Sequence, residues 1–313
     1  MASRIRIVVG FDGSADSWTA ARFAVAEAAA DNGVVRVLHS LLDRLAYTTL
    51  LPPDLTADEQ TVAHRLVDAA RDELARAAPG VDVQTMVVQR APAAALVRIS
   101  RSADLIVLGR HGHGRAPAGG GFHRVHAGAV ATHVMAYASC PVVAVGPGPA
   151  GDAGGHVVLG LDAAAPSAAA IAFAFEAAQR RGTGVRVCSV MTLGGRFDEP
   201  RHDAESRLAL SEALAGWRAA FPDVPVALDV LHGVDPAARL LDAAGGAALV
   251  VVGARERTGP PRGGADAVPD TLVRNATCPV AVVRTQRRDA GAGPWSSPAG
   301  PSGTGLDVVP AEG

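Results

Sequence analysis

Ile5-Arg6-Ile7-Val8-Val9-Gly10-Phe11-Asp12-Gly13-Ser14 reads as a short apolar strand ending in a glycine-flanked carboxylate, and His156-Val157-Val158-Leu159-Gly160-Leu161-Asp162-Ala163 says nearly the same thing again. Each copy closes on a shared phrase, Cys140-Pro141-Val142-Val143-Ala144-Val145 in the first and Cys278-Pro279-Val280-Ala281-Val282-Val283 in the second. A repeat of this period is a whole domain rather than one unit of a solenoid. The chain is therefore a tandem duplication, and differences between its copies carry information about function.

Outward from the opening strand, apolar runs of strand length alternate with Ala-rich helical stretches. The first copy predicts strands at 5–10, 34–40, 82–88, 104–109 and 141–146, with helices at 15–30, 57–78, 92–101 and 128–138 between them. The second predicts strands at 156–161, 184–190, 225–230, 247–253 and 279–284, with helices at 166–181, 202–220, 236–244 and 266–276. Near-continuous runs such as Leu105-Ile106-Val107-Leu108 mark strands buried on both faces, the signature of a parallel sheet covered by helices. The expected organisation is a first domain over 1–148, a Pro/Gly linker over 149–155, a second domain over 156–285 and a disordered Gly/Pro/Ser tail over 286–313, in which Trp295 is an apolar exception.

With 313 residues, 49% of them apolar, the chain can bury two cores. A net charge of -2 provides no field to hold a polyanion, so neither nucleic acid nor a membrane surface is an expected partner. All 29 Lys/Arg positions are arginine. A Walker P-loop and Schiff-base catalysis both need a lysine and are excluded. The N-terminus runs directly into an apolar strand too short for a signal segment, and no run of 18 apolar residues occurs, which gives a cytoplasmic expectation. The three cysteines, Cys140, Cys188 and Cys278, are read as reduced buried thiols.

In a doubly wound sheet, ligands bind outside the carboxyl ends of the strands where strand order reverses. That rule nominates Asp12, Ser40 and the loop from Gly109. Asp12, with Gly10 and Gly13 around it, is placed to accept ribose hydroxyls, though a helix cap for Asp12, Ser14 or Asp16 reads equally well. Gly109-Arg110-His111-Gly112-His113-Gly114 leads to a helix starting near Gly128-Ala129-Val130. Exposed glycine amides and a helix N-terminus together make a phosphate cradle without lysine, reinforced by Arg110, Arg115 and Arg124. His39, beside Ser40, is read as packing plus a backbone contact to a base. His111, His113, His123, His126 and His133 cluster in one segment, but no Cys or tight carboxylate set joins them, so no metal is assigned. Met86, Met135, Trp18 and Trp217 are read as ordinary core or half-buried helical positions and are assigned no chemistry. No nucleophile elbow, kinase set or paired acid/base carboxylates appear, so no catalytic residue is named.

The Val9-Gly10-x-Asp12-x-Ser14 opening, the Gly109-x-x-Gly112 loop, Gly128 and the Cys140-Pro141-Val142 ending, with their ordered counterparts in the second copy, resemble the universal stress protein family over about 4–146 and 154–284. The resemblance implies Rossmann-like domains of the adenine-nucleotide alpha hydrolase type, each with a five-stranded parallel sheet, paired here as an intrachain pseudo-dimer, with a further homodimer left open. Some members bind ATP, through Gly, two residues, Gly, nine residues, Gly, then Ser or Thr. On that pattern Gly10 and Asp12 attend the ribose turn, the Ser40 main chain meets adenine, and Gly109, Arg110, Gly112, Gly128, Ala129 and Val130 meet the phosphates; Mg2+ would arrive only with the nucleotide. This chain departs from the pattern twice: fifteen residues, His113 to Ala127, separate Gly112 from Gly128, and Ala129 replaces the hydroxyl. Losing one neutral hydrogen bond, about 0.5–1.5 kcal/mol, weakens binding without abolishing it.

In the second copy, alignment on Cys278 puts Asp266 at the place of Gly128 and Glu256 at that of Gly112. Two carboxylates facing phosphates at about 4 Å cost on the order of 4 kcal/mol each at a surface-like dielectric, so this copy is expected to be nucleotide-silent. The leading expectation is a regulatory protein that binds ATP or a related adenine nucleotide in its first domain and signals to a protein partner. An interaction scaffold without nucleotide and, less favoured, a nucleotidyltransferase or slow ATPase stand as alternatives.

Overall fold

β-branched residues and the scarcity of charge explain why each central strand forms: once buried on both faces, Val and Ile lose little further side-chain freedom there. The computed structural model describes residues 4–41, 54–112, 128–146, 155–192, 199–254 and 267–284, and these fall into two compact units, one on either side of 147–154. The predicted linker over 149–154 and the tail over 286–313 lie outside the described residues. Gly155, the last residue of that predicted linker, belongs to the second unit. It is buried, with Thr183 Oγ1 donating to its carbonyl at 3.2 Å and no room for a side chain beside the Gly246 carbonyl.

In the first unit the elements run β1 (Arg6–Gly10), α1 (Ala15–Ala29), β2 (Val34–Leu41), α2 (Asp54–Ala77), β3 (Asp82–Gln89), α3 (Pro92–Ile99), β4 (Leu105–Gly109), α4 (Ala129–Tyr137) and β5 (Val142–Val145). The strand order is β3-β2-β1-β4-β5, with each neighbouring pair parallel. The order reverses between β1 and β4, so the crevice that the doubly wound rule predicts opens above these two strands. α1 packs on β4 and β1 through a face of small residues, Ala20, Ala21, Ala24 and Ala28, all fully buried, which lets the helix lie close to the sheet. Trp18 stands edge-on to Phe11 at 5.0 Å, a packing role.

The second unit repeats the plan: β6 (Val157–Gly160), α5 (Ala168–Arg181), β7 (Val185–Thr192), α6 (Glu199–Ala220), β8 (Val226–Gly233), α7 (Pro236–Ala243), β9 (Leu249–Ala254), α8 (Ala267–Asn275) and β10 (Val280–Arg284). Its order is β8-β7-β6-β9-β10, again parallel. Phe175, Trp217 and Phe221 form an aromatic cluster under α5 and α6, with centroids 5.6 to 6.3 Å apart.

All the predicted strands and helices form, and the differences lie at their ends. α2 and α6 each start three residues earlier than the apolar period indicates, at Asp54 and Glu199. Pro200 sits in the first turn of α6, where a missing N–H is not needed by the helix. α5 starts later, at Ala168, because Ser167 caps it by accepting from the Ala170 N–H at 3.3 Å. The register places Arg36 of β2 and Arg186 of β7 at matching positions, each opposite the residue two before the strand's closing glycine, Val8 or Val158. Their surroundings differ. Arg36 is 4% exposed and bonds Gln84 at 2.8 Å; burial pulls its pKa down to about 10 despite nearby Asp82. Arg186 is more open and pairs with Asp229 at 2.6 Å, which raises its pKa.

Candidate functional site

The turn after β1 is built around Asp12. Its Oδ1 accepts from the Ser14 N–H at 3.0 Å and the Ser14 hydroxyl at 2.6 Å, while Ser14 Oγ accepts from the Ser17 N–H at 3.2 Å and so caps α1. Gly13 makes the bend with φ +82°, a conformation that strains any residue with a Cβ. Ser14 is thus the cap of α1, and Asp12 is held by the cap residue through Oδ1.

Oδ2 lies beside Gly112. A Cβ added at Gly112 would stand 2.5 Å from it, so the turn after β1 and the loop after β4 are in contact at this point. The loop is pinned on both sides: the Arg110 N–H donates to Val145 at 2.9 Å, and the Gly128 N–H donates to the Arg110 carbonyl at 2.7 Å. Gly109 allows the loop to lie against α1, since a Cβ there would meet Asp16 atoms at 2.8 Å and the Ser17 nitrogen at 2.9 Å. Gly128 is the N-cap of α4 and gives it no side-chain hydrogen bond, so among the described residues the amides of Ala129 and Val130 open the helix uncapped. A Cβ on Gly128 would lie 3.3 Å from the Arg110 carbonyl and 4.0 Å from the Gly112 nitrogen. Asp12, Gly112 and the α4 N-terminus thus converge at the predicted crevice.

Three nominated residues take up less direct places. Gly10 is inside the sheet: its Cβ would collide with Leu108 Cδ2 at 2.5 Å, so the glycine serves strand packing. Arg110 is 5% exposed, and its guanidinium lies against Gly146, 2.9 Å from where a Cβ would be. That leaves little of the side chain for a ligand. Ser40 donates through Oγ to the Arg90 carbonyl, on the β3 side. Its main chain does something else. The Leu38 carbonyl accepts from the Phe11 N–H at 2.8 Å and the Leu41 carbonyl from the Arg90 N–H at 3.1 Å. Backbone groups alternate along a strand, so those of Ser40 point with Leu38 toward β1, past the point where β1 ends at Gly10.

Sequence reasoning missed two features of this site. His39 Nδ1 sits 2.8 Å from the Phe11 carbonyl, bracing the β1 turn; a carbonyl has no proton to give, so Nδ1 is the donor. Asp16, read as a cap, instead accepts from the His111 N–H and His111 Nδ1, both at 3.0 Å. Only its place two residues past the Ser14 cap could have marked it.

The second unit keeps the frame and lacks these braces. The Leu161 N–H donates to Cys188 at 2.9 Å, as Phe11 does to Leu38, and Asp162 Oδ1 accepts from the Ala164 N–H at 3.0 Å. Pro166 occupies the place of Asp16, and Gly253, the counterpart of Gly109, faces Ser167. Glu256 and Asp266 lie outside the described residues, as do His113, Arg115, His123, Arg124 and His126. Elsewhere in this unit a cleft of about 270 Å3 is lined by Arg186, Arg239, Asp242 and Leu231, but its cations are engaged by carboxylates, Arg239 with Asp242 at 3.4 Å and Arg186 with Asp229 at 2.6 Å. No group of metal-ligating side chains occurs among the described residues, and no helix among them is long and apolar enough to cross a membrane.

Residues 4–146 and 155–284 each match the universal stress protein family. The chain belongs to the universal stress protein family. As a tandem universal stress protein it is similar to a universal stress protein of Mycolicibacterium smegmatis, 31% identical over 300 residues that cover 90% of this chain and 98% of the relative. It is also similar to universal stress protein Rv2005c of Mycobacterium tuberculosis, 33% identical over 295 residues covering 89% and 96%. Among solved structures, a universal stress protein from Archaeoglobus fulgidus shares the fold with TM-score 0.66 at 17% identity, covering 89% of this chain and 98% of that one.

Proposed function

We propose that this universal stress protein binds ATP or a related adenine nucleotide in its first domain and acts as a regulatory protein, not as an enzyme, with the second domain nucleotide-silent. The observation that carries this reading is the convergence of the Asp12 carboxylate, the Gly112 backbone and the uncapped N-terminus of α4 at the sheet's switch point. In this reading Asp12 accepts from ribose, the Ser40 main chain meets adenine beyond the end of β1, and the amides of Gly112, Ala129 and Val130 face the phosphates. Gly109, Gly128 and the Arg110 backbone hold the loop in place. Mg2+ comes with the nucleotide. Binding of nucleotide to one conformational state would bias the surface that a protein partner reads.

Calorimetric titration of the intact chain with ATP tests this, alongside Asp12→Ala and the corresponding Asp162→Ala. Saturable heat that Asp12→Ala removes and Asp162→Ala leaves in place is expected. Heat lost only with Asp162→Ala would overturn the assignment of roles, and no heat at all would favour the scaffold.

A further inference from the structure

Backbone amides and a helix N-terminus can cradle phosphate without lysine, and Arg110, the loop's permanent cation among the described residues, is folded away against Gly146. His111 remains. Its ring is 41% exposed, whereas the Asp16 side chain that grips it is 9% exposed. One carboxylate oxygen, Asp16 Oδ2, takes both the backbone N–H and Nδ1 of His111 at 3.0 Å, so main chain and ring are oriented by the same atom.

That geometry fixes the chemistry of the ring. A carboxylate only accepts, so the hydrogen sits on Nδ1, and in neutral imidazole Nε2 is then a lone pair that repels an anion. Only after taking a proton from solvent can Nε2 donate to a phosphate oxygen. We propose that His111, positioned by Asp16, is an ionic contact between the first domain and the nucleotide phosphates, and that it takes up one proton as the nucleotide binds. This rests on the nucleotide reading of the first domain. Of the charged groups nearby among the described residues, Asp16 from α1 bonds the ring, Asp12 from the β1 turn touches the neighbouring Gly112, and the Arg110 guanidinium in the loop itself lies against Gly146. The Ser14 hydroxyl also reaches the His111 carbonyl at 3.5 Å. The second domain has no such pair, since Pro166 and Arg255 stand at the corresponding positions.

The test is calorimetry of ATP binding to the full chain at pH 6, 7 and 8, in two buffers of different ionisation enthalpy, for the unmodified protein, His111→Gln and Asp16→Asn. The unmodified protein should show net proton uptake and an affinity that falls by up to about tenfold per pH unit through the transition, the limit for one linked proton. His111→Gln should keep only the slope that ATP's own phosphates contribute, and Asp16→Asn, which loosens the hold on the ring, should weaken ATP binding at every pH tested. The ring 15N shifts of His111 give a readout that needs no folded variant, passing from the neutral Nδ1–H pattern to imidazolium when ATP is added at pH 7.5. Equal pH slopes for the unmodified protein and His111→Gln, or ring shifts that ATP leaves unchanged, would overturn the inference while nucleotide binding stood. Absence of ATP heat at every pH would instead overturn the nucleotide reading itself.

Discussion

Gly112→Ala probes the contact on which the site is built. The position is not among the glycines with positive φ, so alanine brings no backbone strain and its effect comes from one methyl group. That methyl would stand 2.5 Å from Asp12 Oδ2, which must withdraw. Oδ1 of the same carboxylate holds the Ser14 N–H and hydroxyl at 3.0 and 2.6 Å, so rotating the group away weakens both bonds. Two hydrogen bonds at about 0.5–1.5 kcal/mol each put the cost at about 1–3 kcal/mol. If Asp12 is the ribose acceptor, the same displacement should lower ATP affinity by about ten- to a hundredfold. Calorimetric titration measures the affinity, and urea unfolding of the same sample measures the stability loss. A variant that unfolds at the unmodified midpoint and binds ATP equally well would refute the claim that Asp12 and Gly112 share one site.

Three further outcomes follow from the same geometry. Gly109→Ala drives a methyl into the backbone of the first turn of α1, at 2.8 Å from Asp16, and should destabilise the first domain by about 1–3 kcal/mol, read as a lowered melting temperature. Ser14→Ala removes both the α1 cap and the hydroxyl donor to Asp12, a loss of about 1 kcal/mol or slightly more by urea unfolding; an unchanged midpoint would deny the cap its role. Cys188 is fully buried, and burial pushes its thiol from 9.0 up to about 11. An unfolded thiol ionises near 9 and the folded one near 11, so the neutral thiol's contribution is intact below pH 9 and falls away as pH rises to 11, by on the order of 2 kcal/mol. Unfolding measured at pH 8, 9, 10 and 11 should show this loss relative to Cys188→Ala, and parallel curves for the two proteins would contradict it.

The duplication, the parallel α/β class and the strands were all legible in the chain, because each follows from local pattern. Val/Ile runs bury strands on two faces, glycines mark the turns, and two copies in the same order vouch for each other. Contacts between residues far apart in sequence were not legible. Gly10 and Gly109 look alike as loop glycines, yet one packs under Leu108 in the sheet and the other lets the loop lie against α1. Arg110 looks like a phosphate cation until the fold turns it toward Gly146. Asp16 and His111 are 95 residues apart, and only the packing of α1 beside β4 brings that carboxylate onto the loop. Periodicity and turn chemistry are properties of neighbours along the chain, which is why they determined the fold; a side chain's partner is set by which elements pack together, and only the tertiary structure decides that.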